Sequence, residues 1–203
     1  MTTSVALASF PRSGNTWLRV VIEDYTGEAS GSIYRDRVLP RSGEGIVVKT
    51  HNLDRANYAA ALHIVRDPFD AIASYFAWRR DIAGQDPDWS GHVEKAASRW
   101  SAHCRHWTSA PYEVCLLRYE DMVSEPEQEF TRAFEYLGVA VQRGRLGEVI
   151  DRCRIDSLRE RFPEVGGRFF RRGTPGAGRA DFTGEQAEVV SAECRPWMER
   201  FGY

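Results

Sequence analysis

The residues with the clearest chemistry lie near the start of the chain. The segment Ser9–Arg19 (SFPRSGNTWLR) places a turn of small residues, with Arg12 inside it, between the apolar run Val5–Ala8 and a helical pattern. A helix that begins after such a turn directs its first free N–H groups and its positive dipole end into the turn. The sequence therefore predicts an anion cradle that suits a phosphate or a sulfate.

This turn differs from the phosphate loop of ATP and GTP hydrolases. It lacks the spacing of two glycines followed by Lys and a Ser or Thr, and with it the lysine and the Mg²⁺-binding hydroxyl of that loop. A P-loop kinase stays an alternative, although it would depend on Mg²⁺ chemistry for which this turn has no ligand. Inert strand-to-helix turns also contain Gly and Ser, so the turn alone does not separate a binding site from a structural connection.

A second strand-to-helix segment, Leu62–Phe76, carries residues that could bind another phosphate. Arg66 closes its apolar run, a proline marks the start of its helix, and Ser74 follows Arg66 by eight positions. A guanidinium offers a phosphate two hydrogen bonds in one plane, and a hydroxyl on the helix can add a third. The structural alternative is an arginine at a strand end that pairs with Asp67 or Asp70.

Both segments resemble those of sulfotransferases that use 3′-phosphoadenosine 5′-phosphosulfate (PAPS). The 5′-phosphosulfate loop of that family usually reads Pro-Lys-Ser-Gly-Thr-Thr-Trp, and Arg12 stands here at its lysine position. The family's 3′-phosphate site has an Arg and a Ser with the spacing of Arg66 and Ser74. Further resemblances follow in the family's order at Lys49-Thr50-His51, Tyr119–Met122 and Phe170–Gly176. The resemblance extends from Ser9 to Tyr203.

The resemblance implies a role for each matched residue. His51 is the general base, Arg12 stabilises the leaving 5′-phosphate, and Lys49 balances charge on the transferring group. Trp17 stacks on adenine, and the implied nucleotide-binding residues are Arg12, Ser13, Gly14, Asn15, Thr16, Trp17, Arg66, Ser74, Tyr119, Arg171, Arg172 and Gly173. An imidazole titrates near neutral pH, which suits a base, and a carboxylate such as Glu23 stays the alternative base. The scheme requires no metal.

The implied reaction is direct in-line transfer of a sulfuryl group from PAPS to a hydroxyl, which leaves 3′-phosphoadenosine 5′-phosphate (PAP). The segments 10–17 and 25–34 look closer to sulfotransferases associated with WSC domains than to phenol-sulfating enzymes. This favours a carbohydrate acceptor and leaves a small metabolite open. A non-catalytic nucleotide-binding protein is a further alternative, since it would keep Arg66, Ser74 and Arg171 without needing His51.

Two departures from the family limit what the resemblance implies. The third family loop commonly continues Gly-Asp-Trp-Lys, whereas this chain reads Gly176-Ala177-Gly178-Arg179 and loses the acidic and the aromatic residue. We therefore expect the lid over the nucleotide to be ordered differently. The dimerisation signature of cytosolic members survives only in part, at Arg179, Thr183, Gly184 and Glu188, so the oligomeric state stays open.

Length and composition agree with one compact enzyme, and the resemblance implies a single sulfotransferase domain over residues 1–203. A hydrophobic content of 42% supplies enough apolar material for one core at this length. The net charge of −2 argues against a general nucleic-acid binder. The four scattered cysteines lack the spacing of a zinc site or a disulfide framework.

The sequence also predicts where the protein is located. Because the first strand begins near the start of the sequence and no long apolar run follows, we expect no membrane segment and a cytoplasmic location. Only two of the 27 basic residues are lysine, which indicates a GC-rich, bacterial source.

Short strands alternate with helical patterns along the chain. Strands are predicted at Val5–Ala8, Gly45–Lys49, Leu62–Val65 and Glu113–Leu117, and helices at Asn15–Asp24, Pro68–Arg80, Ser90–Trp107, Glu125–Leu137, Gly147–Cys153, Ser157–Arg161 and Gly184–Arg200. This order predicts an α/β fold with a mainly parallel central sheet and helices on both faces, and the resemblance implies a P-loop-like sulfotransferase architecture. Ligands of such sheets bind beyond the carboxyl ends of the strands, where Arg12, Lys49, Arg66 and Tyr119 would meet. Trp100 and Trp107, seven residues apart, are predicted to face the core.

Overall fold

A five-stranded parallel sheet forms the centre of the computed structural model, which describes residues 4–34, 38–39, 43–164, 166–170 and 173–203. Its strands are β1 (Ser4–Ser9), β2 (Gly31–Ser32), β3 (Val48–Thr50), β4 (Tyr58–Val65) and β5 (Val114–Arg118). Their order across the sheet is β2-β3-β1-β4-β5, and every neighbouring pair is parallel. The predicted α/β fold class is confirmed, with β1 at the centre of the sheet.

Both faces of the central strand are buried, which explains its continuous apolar run. In β1 the side chain of Leu7 joins a core cluster with Leu18 from the first helix, whereas Ala6 and Ala8 pack in another cluster with Trp107. Successive residues of a strand point to opposite faces, so this alternation assigns one core to each face. A parallel sheet covered on both faces needs such apolar strands.

Nine α-helices of the described residues surround the sheet. They are α1 (Asn15–Thr26), α2 (Pro68–Asp81), α3 (Trp89–Thr108), α4 (Tyr119–Ser124), α5 (Pro126–Tyr136), α6 (Arg143–Arg152), α7 (Ile155–Arg161), α8 (Gly166–Phe169) and α9 (Gly184–Phe201), with a short 3₁₀ helix at Arg179–Asp181. One core cluster packs α1, α5 and α6 on the sheet, and another joins α2, α3 and α9. None of these helices is long and apolar enough to cross a membrane.

The start of α2 is fixed by a local capping arrangement. Asp67 is the N-cap residue, and its carboxylate accepts hydrogen bonds from the backbone N–H groups of Phe69 at 2.8 Å and Asp70 at 3.2 Å. Pro68 occupies the first helical position, where its missing N–H costs nothing. This cap sets the direction of the helix that carries Asp70 and Ser74.

Most predicted elements are confirmed to within a few residues. Trp100 and Trp107 are fully buried, as their spacing predicted. The helices α4 and α8, the 3₁₀ helix and the strand β2 were not predicted. Gly31 and Ser32 form a strand only because they pair with β3, and two polar or flexible residues carry no strand signal of their own.

Candidate active site

A cavity of about 900 Å³ opens at the carboxyl edge of the sheet. Residues that follow four of the strands line it: Arg12 after β1, His51 after β3, Arg66 after β4 and Tyr119 after β5. Lys49, inside β3, lines it as well. The structure therefore brings together the residues from separate motifs that the sequence analysis singled out, at the edge where parallel sheets bind ligands.

The turn between β1 and α1 has a backbone that few residues tolerate. Arg12 has a φ of 71° and Gly14 a φ of 98°, both in the left-handed region. A Cβ added to Gly14 would lie 2.8 Å from Cδ2 of Tyr119, so both the torsion and the close approach require glycine. Gly14 is the N-cap residue of α1, and it has no side chain that could accept hydrogen bonds from the first N–H groups of the helix.

The residues after Gly14 divide between binding and structural positions. Thr16 and Trp17 line the cavity. Asn15 lines it too, but its side-chain amide donates to the carbonyl of Leu7 at 2.9 Å and to the hydroxyl of Ser9 at 3.2 Å. Asn15 therefore fastens the turn to β1. Ser13 is fully buried and is absent from the described residues that line the cavity, so the structure does not bring this predicted nucleotide-binding residue to the cavity surface.

Arg66 is a buried cation that holds the turn in place. Its Nη1 donates to the carbonyl of Arg12 at 3.0 Å, and its guanidinium lies 4.3 Å from the centre of the Tyr119 ring. Its Nη2 lies 3.5 Å from Oδ2 of Asp70, so the pairing considered as the structural alternative also occurs. The buried Nε of Arg66 has no hydrogen-bond partner among the described residues. An unsatisfied buried donor is costly, and an anion bound beside Arg66 would accept its hydrogen bond.

Arg12 contacts two other elements across the cavity. Its Nε donates to the hydroxyl of Ser74 on α2 at 3.3 Å. Its Nη2 donates to the carbonyl of Phe169 on α8, and the guanidinium lies 4.4 Å from the centre of that residue's ring. Arg12 thus contacts Arg66 through its backbone carbonyl and Ser74 through its guanidinium, so it links the two phosphate-binding motifs.

Tyr119 connects these residues to the glycine-rich segment that follows α8. Its hydroxyl donates to the carbonyl of Gly173 at 3.0 Å, and burial raises its pKa above the ordinary value. Trp17 packs edge-on against Tyr119, with the ring centres 6.4 Å apart. We call Arg12, Arg66, Ser74 and Tyr119 together with the turn 13–17 the motif cluster. Arg171 and Arg172, predicted to bind the nucleotide, lie outside the described residues.

His51 lies at the edge of the motif cluster, and its orientation is set by β1. Its Nδ1 is 2.7 Å from the carbonyl oxygen of Ser9. Because a carbonyl only accepts, Nδ1 carries the proton of the neutral ring, and the lone pair is on Nε2. The ring stacks on Tyr34, with 5.5 Å between centres and an angle of 25°. This tautomer is the one that a base acting through Nε2 needs.

Around His51 the cavity wall is aromatic and more exposed. Tyr75 stacks on Trp78 with 6.0 Å between ring centres. The exposed Arg99 donates to the hydroxyl of Tyr75 at 3.3 Å and to the carbonyl of His51 at 3.4 Å. We call Tyr34, His51, Tyr75, Trp78 and Arg99 the aromatic cluster; all five line the cavity. Sequence reasoning missed Tyr34, Tyr75 and Arg99.

Glu23, the alternative base, is engaged elsewhere. Its Oε1 accepts from the backbone N–H of Ser30 at 2.9 Å and also from the hydroxyl of Ser30. It is absent from the described residues that line the cavity. Within the described part of the chain, no group of three or more His, Cys, Asp or Glu residues has the arrangement of a metal site.

Comparison with known proteins identifies related sequences and folds. Residues 47–202 match the model of the sulfotransferase domain. A WSCD family member from Drosophila pseudoobscura pseudoobscura is 32% identical over 176 residues, which cover 74% of this chain and 54% of the relative. Sulfotransferase 1A1 of Bos taurus is 22% identical, with 92% of this chain and 80% of the relative covered. The chain thus spans about half the length of the WSCD relatives that it matches.

Solved structures share the fold at low sequence identity. Mouse sulfotransferase SULT7A1 complexed with PAP superposes with a TM-score of 0.73 at 18% identity, covering 95% of this chain and 84% of that one. Retinol dehydratase in complex with androsterone and the inactive cofactor PAP gives a TM-score of 0.71 at 17% identity, covering 96% and 80%. At this identity the likeness establishes the fold.

Proposed function

The chain belongs to the sulfotransferase domain family, and from that premise we propose that it transfers a sulfuryl group from PAPS to a hydroxyl acceptor. The observation that carries the proposal is the meeting of the motif cluster with His51 in one cavity. Two arginines, a helix N-terminus and an imidazole of defined tautomer are the parts that this transfer needs. Family membership favours this reaction over the kinase alternative.

The motif cluster supplies two places for the negative groups of PAPS. The N-terminus of α1 and Arg12 would hold the 5′-phosphosulfate, because backbone N–H groups and a guanidinium both stabilise an oxyanion. Arg66 and Ser74 would hold the 3′-phosphate. The buried Nε of Arg66, which lacks a partner among the described residues, supports this assignment. Trp17 and Tyr119 would contact the adenosine.

The proposed chemistry is a direct in-line displacement at sulfur. The acceptor hydroxyl gives its proton to Nε2 of His51, and its oxygen forms a bond to sulfur while the bond from sulfur to the 5′-phosphate oxygen breaks. Negative charge then collects on the departing phosphate, where Arg12 and the N–H groups of α1 stabilise it. Lys49 would balance charge on the transferring group, and the proton later passes from His51 to solvent.

His51 is better supported as the base than a carboxylate at position 23. The contact from Nδ1 to the Ser9 carbonyl selects the tautomer with a basic Nε2, whereas Glu23 is occupied by Ser30. The aromatic cluster around His51 would hold the acceptor. Stacked rings bind the apolar faces of sugars and of cyclic metabolites alike, so both acceptor classes stay within the proposal. A cytoplasmic location and a bacterial source stay predictions.

Calorimetric titration tests the proposal before any acceptor is known. The purified protein is titrated with PAP, AMP and ATP, each with Mg²⁺ and with a chelator. We expect PAP to bind tightly in both conditions and AMP, which lacks the 3′-phosphate, to bind much more weakly. A preference for ATP with Mg²⁺, or no nucleotide binding, would overturn the proposal. Transfer of labelled sulfate from PAPS to a panel of sugars and hydroxylated metabolites then separates an enzyme from a non-catalytic binder.

A further inference from the structure

The carboxylate of Asp70 makes contacts that the proposed reaction does not use. Asp70 lies in the first turn of α2 and is 3% exposed. Its Oδ2 accepts from the backbone N–H of Gly176 at 2.8 Å, and its Oδ1 accepts from the backbone N–H of Gly178 at 2.6 Å. One buried side chain thus binds two backbone groups of a segment more than a hundred residues later in the chain. A carboxylate can do this because each of its oxygens accepts independently.

The glycines of this segment are adapted to that contact. Gly178 has an ordinary backbone torsion, but an added Cβ would lie 2.6 Å from Cα of Asp70 and 2.7 Å from the carbonyl oxygen of Phe69. Only glycine lets the two backbones approach so closely. Gly176 needs glycine for another reason, since its φ is 81°. Beyond them, the guanidinium of Arg179 lies 4.3 Å from the centre of the Phe69 ring.

The same segment borders the place assigned to the 3′-phosphate. Gly173, Thr174 and Gly178 line the cavity, and the hydroxyl of Tyr119 holds the carbonyl of Gly173. Oδ2 of Asp70, which binds Gly176, is also the atom that lies 3.5 Å from Nη2 of Arg66. Asp70 therefore joins the arginine and the glycine-rich segment in one contact network.

We propose that Asp70 is a positioning residue that clamps the segment 173–178 over the nucleotide, so that recognition of the 3′-phosphate depends on a carboxylate beside it. The inference rests on the proposed function, since it assumes that the cavity binds PAPS. It also accounts for the lid of this chain. The segment lacks the acidic and aromatic residues expected at this loop, and Asp70 supplies a carboxylate from α2 instead.

The clamp and a purely electrostatic role predict opposite results for Asp70→Asn. If Asp70 only neutralises Arg66, removal of its charge reduces repulsion of the phosphate and PAP binds more tightly. If Asp70 is the clamp, the amide replaces one accepting oxygen by a donor, one loop contact is lost, and PAP binds about tenfold to a hundredfold more weakly. AMP affinity should change little in the clamp case, because AMP lacks the 3′-phosphate.

The experiment combines calorimetry of PAP and AMP with hydrogen exchange of the free protein. In wild type the amides of Gly176 and Gly178 should be protected, and in Asp70→Asn they should exchange at least about tenfold faster. Asp81→Asn, the same change at the exposed end of α2 where the carboxylate binds Arg80 at 2.6 Å, should alter neither measurement. Equal or tighter PAP binding by Asp70→Asn would overturn the proposal, as would unchanged protection of the two amides.

A second variant changes the glycine-rich segment instead of Asp70. Gly178→Ala keeps the charge of Asp70 but places a methyl group against the backbone of α2, so it should weaken PAP binding in the same way and also raise exchange at Gly176. Gly184→Ala is its control, because a Cβ there meets nothing within 4 Å. This variant decides the matter if Asp70→Asn does not fold. Wild-type protein that binds no PAP would instead refute the proposed function, whereas normal wild-type binding with unaffected variants refutes only the clamp.

Discussion

The motif cluster and the aromatic cluster line one cavity, but they are built in different ways. In the motif cluster Arg66 and Tyr119 are each 8% exposed, and hydrogen bonds to backbone carbonyls at Arg12 and Gly173 fix them. In the aromatic cluster Arg99 is exposed and most contacts are between side chains. The first is a rigid arrangement of charge, and the second is an adaptable wall.

This difference suits the two substrates of a transferase. Every PAPS molecule presents the same phosphates, so donors that are held rigidly in the matching positions bind it with the smallest ordering cost. An acceptor is recognised by shape and ring contacts, which vary with the compound. We therefore expect substitutions in the motif cluster to change nucleotide binding or the chemical step, and those in the aromatic cluster to change the acceptor constants. His51 lies in the aromatic cluster but is proposed to act in the chemical step, so it tests the boundary between the two clusters.

The largest effect is expected for His51→Ala. Loss of the base should lower kcat by about 10²- to 10⁴-fold. Because the imidazole contacts β1 and Tyr34, which are not proposed to bind the nucleotide, the dissociation constant of PAP should stay within about twofold. Calorimetry and steady-state turnover measure the two quantities on the same preparation. Turnover near that of wild type would remove His51 from the mechanism, and a large loss of PAP affinity would place it in the motif cluster.

The next largest effect is expected at Arg12. Arg12→Ala should lower kcat by about 10²- to 10³-fold, because it removes a cation from the leaving phosphate. Arg12→Lys should recover part of that loss, since an ammonium is also a cation but lacks the planar fork that reaches Ser74 and Phe169. Three equal turnover numbers for arginine, lysine and alanine would show that Arg12 has no part in charge stabilisation.

A smaller effect is expected in the aromatic cluster, at Trp78. Trp78→Ala removes the ring that stacks on Tyr75, so the KM for the acceptor should rise about threefold to tenfold. The dissociation constant of PAP should not change. Trp197→Ala, which removes a ring that packs on Phe201 away from the cavity, should reduce stability with no change in KM. A change in PAP affinity on loss of Trp78 would erase the distinction between the two clusters.

The two clusters also differ in how far the sequence predicts them. Each part of the motif cluster lies in one short segment where a strand turns into a helix, so its residues are positioned by local structure. Arg66 directly follows β4, and Ser74 lies on α2, the helix that comes next. Tyr34 follows β2, Tyr75 lies on α2 and Arg99 lies on α3, so only the tertiary fold makes them neighbours. The sequence carries no pattern for such a set.

The Asp70 contact shows the same limit. The sequence indicates Asp70 as a possible partner of Arg66, four residues earlier, and the structure contains that pair at 3.5 Å. The contacts with Gly176 and Gly178 depend on how the chain returns to α2 after α8, which no local pattern predicts. The strand β2 was missed for the same reason, because it exists only through pairing with β3.

The smallest effect concerns the layer beneath the aromatic cluster, where two histidines are buried. His103 lies one helical turn after Arg99 on α3, and His63 lies on β4 beside Ala8 of β1. Their ring centres are 5.3 Å apart, and their nitrogens have no hydrogen-bond partner among the described residues. Burial lowers the pKa of His63 to about 3 and that of His103 well below its ordinary value. Both rings are therefore neutral in the folded protein.

Acid should loosen this layer before it affects the motif cluster. In the unfolded chain both histidines bind protons near their ordinary pKa of 6.5, so folding stability is fully present above that pH and declines as the pH falls from 6.5 towards 3. Between pH 7 and pH 6 the pair should cost roughly 1 kcal/mol of stability, which lowers Tm by a few degrees. His103→Phe, measured by thermal unfolding at both pH values, should lose about half of that pH dependence, because other groups contribute equally to both proteins. If the variant and wild type lose the same stability between pH 7 and pH 6, the buried histidine pair is not the source of the loss. Sensitivity to acid would then no longer distinguish the layer beneath the aromatic cluster from the rest of the cavity.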